Sequence, residues 1–276
     1  MGGRALKEIE TIRYSKDEYY AILPEVELLS KKIFKDIYIT KCYSQKDSFG
    51  DIDVLCLIDD LEYDIREDLI RVFKPNQISK NTHVWSFDYK KIQIDFILTR
   101  PENWQTSKIY YSYNDVGNLI GKIAHCFGLK YGHEGLKWVG YIPQKKEVIL
   151  TKDHNVALEF LGFDSAKFNA GFDTLDEIFD FVIQSKYFNP TFFDLALQNK
   201  VNRDRDKKRT NYQLFLTRIE KMNSDEYYFI GRNKDHYLGL IDHYFPGFMK
   251  EYDKLFSQKA INQKVKEIFS GDLIKH

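Results

Sequence analysis

The stretch that most constrains this chain is Gly50-Asp51-Ile52-Asp53-Val54-Leu55. Side chains alternate across a β-strand, so residues two apart share a face. A strand over residues 51–58 sends Ile52, Val54, Cys56 and Ile58 to one side, under helices, and Asp51 and Asp53 together to the other. A second run, Lys91-Ile92-Gln93-Ile94-Asp95-Phe96-Ile97-Leu98, has the same phase, with Ile92, Ile94, Phe96 and Leu98 inward and Asp95 pointing away. If the two strands are neighbours, three carboxylates converge. Such a set repels itself and is stable mainly with a cation among its members. Carboxylate oxygens are the hard ligands Mg²⁺ takes, and three of them can hold two ions about 4 Å apart. A lone Asp-x-Asp is more often a solvated strand edge. The preceding Gly50, the following Val54-Leu55 and the phase of Asp95 favour the metal site.

Apolar spacing surrounds these strands with helices. It predicts a helix over 16–34 through Tyr20, Leu23, Val26, Leu29 and Ile33, a strand over 37–39, and a polar turn region over 44–50. A helix over 63–73 stops before Pro75, and strands over 82–87 and 91–98 are joined by a turn at Asp88-Tyr89-Lys90. A helix over 114–129 precedes strands over 137–142 and 147–150, whose turn begins at Pro143-Gln144. Beyond about residue 165 only helical spacing recurs, over 175–183, 212–219, 237–244 and 260–268. The expected class is α+β, followed by an all-helical C-terminal domain.

Composition narrows the function classes. With 41 basic and 41 acidic residues the net charge is zero, so any grip on nucleic acid must come from local patches. Three cysteines without a C-x-x-C pair fit a reducing compartment and neither a disulfide frame nor a structural zinc site. No apolar run approaches the ~20 residues of a membrane span, and no signal-peptide core is evident. Met1-Gly2-Gly3 is not read as a myristoylation site, because Leu6 stands where Ser or Thr is required. The expected location is the cytoplasm. The abundance of Lys, Ile, Asn, Tyr and Phe points to an AT-rich genome and is compatible with a viral source, which would place the protein in the host cell.

Residues 50–55 resemble the signature of polymerase β-type nucleotidyltransferases, and within that superfamily the X family of DNA polymerases. Residues 91–98 are similar to the strand carrying the family's third catalytic aspartate. Tyr110-Tyr111-Ser112-Tyr113-Asn114-Asp115-Val116-Gly117-Asn118 looks like its Tyr-Phe-Thr-Gly-Ser-Asp-x-x-Asn stretch, and Lys122 stands where the family often has an arginine facing the template. The later hairpin and the Leu161-Gly162 pair follow in the family's order, so the resemblance covers roughly residues 20–165.

The resemblance implies a nucleotidyltransferase palm over 1–108, a small α/β nucleotide- and nucleic-acid-binding subdomain over 109–165, and the helical domain over 166–276. It implies that Asp51, Asp53 and Asp95 bind two Mg²⁺, with Mn²⁺ able to substitute, and that Asp95 helps deprotonate the attacking hydroxyl. Lys41, Ser44 and Gly50 are candidates for the triphosphate, Tyr111, Asp115 and Asn118 for base and sugar, and Lys122 for nucleic acid. The implied reaction passes a nucleoside monophosphate from a nucleoside triphosphate to a 3′-hydroxyl of nucleic acid and releases pyrophosphate. A tRNA, protein or small-molecule acceptor and a non-catalytic metal-binding or nucleic-acid-binding module are the alternatives. The sequence departs from the family in three ways. Thr40-Lys41 replaces a Gly-Ser pair, Tyr113 replaces a glycine, a change expected to narrow or reshape the pocket, and no room is expected for the N-terminal DNA-end-binding helical domain of many members.

The most basic segment, 200–209, supplies Arg203, Arg205, Lys208 and Arg209 as candidates for nucleic-acid phosphates; a solvated helix start explains it equally well. His125 is read as packed, His133 and Glu134 as residues of a Gly132-to-Gly135 turn, and His236 and His243 as structural.

Overall fold

The computed structural model describes residues 5–140, 147–229, 231 and 236–256. Its first core is built on five strands: β1 (Ile37–Ile39), β2 (Asp51–Leu57), β3 (Ile78–Asn81), β4 (Val84–Tyr89) and β5 (Ile92–Thr99), in the order β1-β2-β5-β4-β3. Only β2 and β5 run parallel; the other neighbours are antiparallel. Parallel neighbours need a long crossover, and α2 (Arg66–Val72) with the β3–β4 hairpin fills it. Ile52, Val54, Cys56, Ile92, Ile94, Phe96 and Leu98 are all buried in one cluster, as alternation requires.

Helix α1 (Lys16–Ser30) starts at a capping box in which Ser15 and Glu18 satisfy each other's backbone N–H groups. Its buried side chains are Tyr19, Ile22, Val26 and Ser30, while Tyr20 is 46% exposed. The buried stripe therefore lies one residue earlier than the predicted one at Tyr19 and Ile22, coincides with it at Val26 and lies one residue later at Ser30. Tyr19/Tyr20 and Ile22/Leu23 are adjacent apolar pairs that spacing cannot separate. The Tyr19 ring, stacked 3.8 Å from Phe49, sets the rotation of the helix. The predicted turn at Asp88 also moves. Asp88 is buried within β4, where its carboxylate accepts from the backbone N–H groups of Asn76 and Gln77 and from the Asn76 amide. The chain turns at Lys90 and Lys91, both in the left-handed region.

After α3 (Trp104–Tyr110) and α4 (Val116–Cys126) comes an antiparallel sheet, β6 (Leu129–Gly132), β7 (Gly135–Val139) and β8 (Glu147–Thr151), ordered β8-β7-β6. Strand β6 was hidden in the sequence because Leu129 continues the helical spacing of α4. Gly128, at φ 74°, ends that helix. Helices α5 (His154–Phe160), α6 (Ser165–Ala170), α7 (Leu175–Ile183), α8 (Lys200–Asp206), α9 (Thr210–Ile219), α10 (Leu238–Tyr244) and α11 (Phe248–Phe256) follow among the described residues.

A second core runs from Tyr113 to Phe248, so the small sheet and the helical region bury one continuous apolar cluster. The chain is a mixed α/β protein with a mixed sheet and a helical C-terminal region. The predicted helix over 260–268 and the turn at Pro143-Gln144 lie outside the described residues. Among those described, no helix is long and apolar enough to cross a membrane.

Candidate metal centre and its pocket

The parallel pairing of β2 and β5 sets Asp53 directly opposite Asp95 and Asp51 opposite Gln93. One carboxylate oxygen from each of Asp51, Asp53 and Asp95 lies within 4.8 Å of the others. The Gln93 amide donates to Asp95 at 2.8 Å, holding that carboxylate in place. Burial pushes the Asp53 carboxyl well above its ordinary range, and the charges of Asp51 and Asp95 push it further. Burial and the Asp51 charge raise Asp95 to about 6, against the hydrogen bonds from Ser86 and Gln93. Three hard oxygens this close, on half-buried side chains, suit a divalent cation and lack the sulfur or imidazole that would direct the site to zinc.

The backbone approaching the aspartates is fixed by a short antiparallel pairing of Tyr14–Ser15 with Ser48–Phe49. Arg13 extends that strand. Its guanidinium donates to the Ser48 hydroxyl at 2.8 Å and to the Ser48 carbonyl at 2.9 Å. The Lys46 ammonium sits 4.5 Å over the Phe49 ring and opposes the charge of Asp53. Thr40 N–H donates to the Asp53 carbonyl at 3.0 Å, tying the 40–47 segment to the carboxylate strand. Arg13, Lys41 and Lys46 thus form a cationic wall of a cavity of about 770 Å³ that opens onto Asp51 and Asp53. That volume is in the range of small-ligand pockets.

Comparison with protein-family models and with curated proteins finds no match for the chain.

The opposite wall carries Tyr111, Asp115, Asn118 and His133, with Arg209, Thr210 and Asn211 arriving from the helical region. Of the residues singled out from sequence, Lys41, Gly50, Asp51, Asp53, Tyr111, Asp115, Asn118 and Arg209 line this one cavity. Ser44 does not. Its hydroxyl donates to Asp173 and it lines a separate cavity of about 610 Å³ between α1 and the α6–α7 corner. The reason is that Ser44 N–H and Gln45 N–H pair with the carbonyls of Phe172 and Asp173, which turns this part of the loop away from the carboxylates. Tyr113 does not narrow the carboxylate pocket. At φ 58° its ring is aimed into the second core, edge-on to Phe168 and Phe172.

Lys122 is also turned inward. Its ammonium lies 2.6 Å from Asp206, which has no exposed surface, so the lysine meets the protein's own helix α8 in place of a ligand. Arg205 donates to Asn118 and Arg209 pairs with Asp115. Arg203 and Lys208 make no ion pair with a described residue. Sequence reasoning missed Arg13 and Lys46, whose only signal was membership of the segments leading into the aspartates. It took His133 for a turn residue. That turn is real, joining β6 to β7, and it presents the His133 ring to Tyr111 at 6.0 Å and 27°.

Proposed function

We propose that the protein is a metal-dependent nucleotidyltransferase on a polymerase β-like palm, transferring a nucleoside monophosphate from its triphosphate to a 3′-hydroxyl of nucleic acid. The observation that carries this reading is the in-register placement of Asp53 opposite Asp95, with Asp51 beside them, where Asp51 and Asp53 line a pocket with cations along one wall. Asp51, Asp53 and Asp95 would hold Mg²⁺, which when bound supplies charge neutralisation and a hydroxyl of lowered pKa. Arg13, Lys41 and Lys46 face the triphosphate with opposite charge and orient it. The Tyr111 and His133 rings offer flat surfaces beside which a nucleobase packs. Asp95, steadied by the Gln93 amide, would by the resemblance help take the proton of the attacking hydroxyl.

The test is incorporation of labelled NTPs and dNTPs, with Mg²⁺ or Mn²⁺, across primed DNA, single-stranded DNA, tRNA and the protein itself. The Asp51→Ala, Asp53→Ala double variant is the blank. Transfer by the wild type and not by the variant establishes the activity and identifies the acceptor. Absence of variant-sensitive transfer to every acceptor removes the polymerase reading.

A further inference from the structure

The basic segment 200–209 divides cleanly into two faces. At 100° per residue, Lys200 and Arg203 fall within 60° of one another on one side of α8, Lys207 caps the helix, and Lys208 follows in the turn. Asn202, Arg205 and Asp206 fall on the opposite side of the helix, and Arg209 follows beyond its end at the start of α9. The inner set is consumed by the fold: Asp206 holds Lys122 and accepts from Asn118 and Arg205, while Arg209 pairs with Asp115. The outer set is not. Lys200, Lys207 and Lys208 are exposed and Arg203 is half-buried, and none of the four makes an ion pair with a described residue. Asp204 is the one acid on that face. Leu197 and Val201 beside it are 75% and 77% exposed, an apolar margin next to the cations.

The position of this row matters as much as its charge. It ends at Arg209, Thr210 and Asn211, which line the carboxylate pocket. We infer that the outer face of α8 is a track for the phosphates of a single-stranded nucleic acid, leading its end into that pocket. One row of cations about 10 Å long matches one backbone. The cations that would grip a second strand, Lys122, Arg205 and Arg209, are already neutralised by Asp206 and Asp115 or turned to Asn118. Freeing Lys122 would strand the buried Asp206 charge, which costs several kcal/mol. With zero net charge over the whole chain, binding through four local cations is modest and strongly salt-dependent. The inference rests on the proposed function for where the strand leads, but the binding itself needs neither metal nor turnover.

The experiment is fluorescence anisotropy of the full chain with a fluorescein-labelled single-stranded dT₂₀, its RNA counterpart and a 20-base-pair duplex, over a salt series without nucleotide. Single strands are expected to bind about tenfold more tightly than the duplex at low salt. The Lys200→Gln, Arg203→Gln, Lys207→Gln, Lys208→Gln variant is expected to lose about tenfold or more in affinity. The salt slope should fall by about 0.7 for each phosphate contact removed. A triple variant sparing half-buried Arg203 repeats the test should the quadruple one fold poorly. Equal or preferred binding of duplex, binding unchanged in both variants, or capture by phosphatidylserine vesicles without any oligonucleotide binding overturns the inference. The Asp51→Ala, Asp53→Ala variant separates the two readings. It should lose the Mg²⁺ response of the protein and keep single-strand binding, so failure of the metal site leaves the track standing and the reverse.

Discussion

The ammonium of Lys122 lies 2.6 Å from the carboxylate of Asp206, 84 residues later, and the lysine side chain keeps 11% of its surface exposed while the aspartate keeps none. Asn118 and Arg205 complete the shell around that carboxylate, and the Lys122 ammonium also lies 5.2 Å from the Tyr212 ring. Removing one partner strands the other charge out of water. Asp206→Ala is expected to lower unfolding free energy by about 3–5 kcal/mol, whereas Lys122→Met with Asp206→Leu should cost far less than the single change. Urea denaturation of the single and double variants measures both. Equal costs would show that shape, and not charge, holds α8 to α4.

The carboxylate centre predicts a stability that depends on metal and pH together. Without metal, Asp95 titrates near 6, above its ordinary value of 3.8. A carboxyl raised in the folded state adds stability below its unfolded value and loses it as pH climbs through the folded one. The metal-free protein should therefore be less stable at pH 7 than at pH 5 so far as this group is concerned. Mg²⁺ at 100 times its dissociation constant should restore about 2.7 kcal/mol at pH 7, and less below pH 6, where protons compete. Asp53→Asn should remove a repulsive charge, leaving the metal-free protein no less stable, and should abolish the Mg²⁺ response. Thermal melts with and without Mg²⁺ decide it; an unchanged response in Asp53→Asn argues against the assigned ligands.

His154 predicts the opposite slope at acid pH. Its Nδ1 is hydrogen-bonded to the Tyr131 hydroxyl at 2.7 Å, and burial pushes the imidazole down to about 4. The unfolded chain protonates this group below about 6.5 while the folded chain does not, so stability is lost as pH falls from 6.5 toward 4. The loss from this residue is up to about 3 kcal/mol. His154→Phe should keep the packing on Phe168 and flatten this part of the pH–stability curve, whatever its effect at pH 7. A curve of unaltered slope would reassign the acid lability.

Tyr113→Gly separates backbone comfort from packing. Glycine relieves a left-handed φ, worth about 1 kcal/mol, but deletes a buried ring, worth about 3 kcal/mol. The net expectation is a loss of about 2 kcal/mol, with Mg²⁺ binding unchanged because the ring faces the second core. Stabilisation, or altered metal affinity, would place the ring at the wrong site.

What the sequence determined by itself was local and periodic. Alternation in β2 and β5 was enough to bury Ile52, Val54, Ile94 and Phe96 and to put Asp51 and Asp53 on the other side of one strand and Asp95 on the other side of its own, because a strand offers only two sides. Their convergence came with the parallel pairing of the two strands. Capping chemistry at Ser15 and Glu18 likewise needed only its neighbours. The tertiary structure decided everything that depended on a partner distant in sequence. Tyr19 displaced Tyr20 as the buried ring because Phe49 was there to stack on it. Asp88 became a buried anchor because Asn76 and Gln77 offered it N–H groups. Ser44 went to Asp173 because the backbone of its loop pairs with Phe172 and Asp173, and Lys122 went to Asp206 because a buried charge is drawn to the complementary group the fold brings near. Spacing along the chain holds no record of groups 84 or 129 residues away.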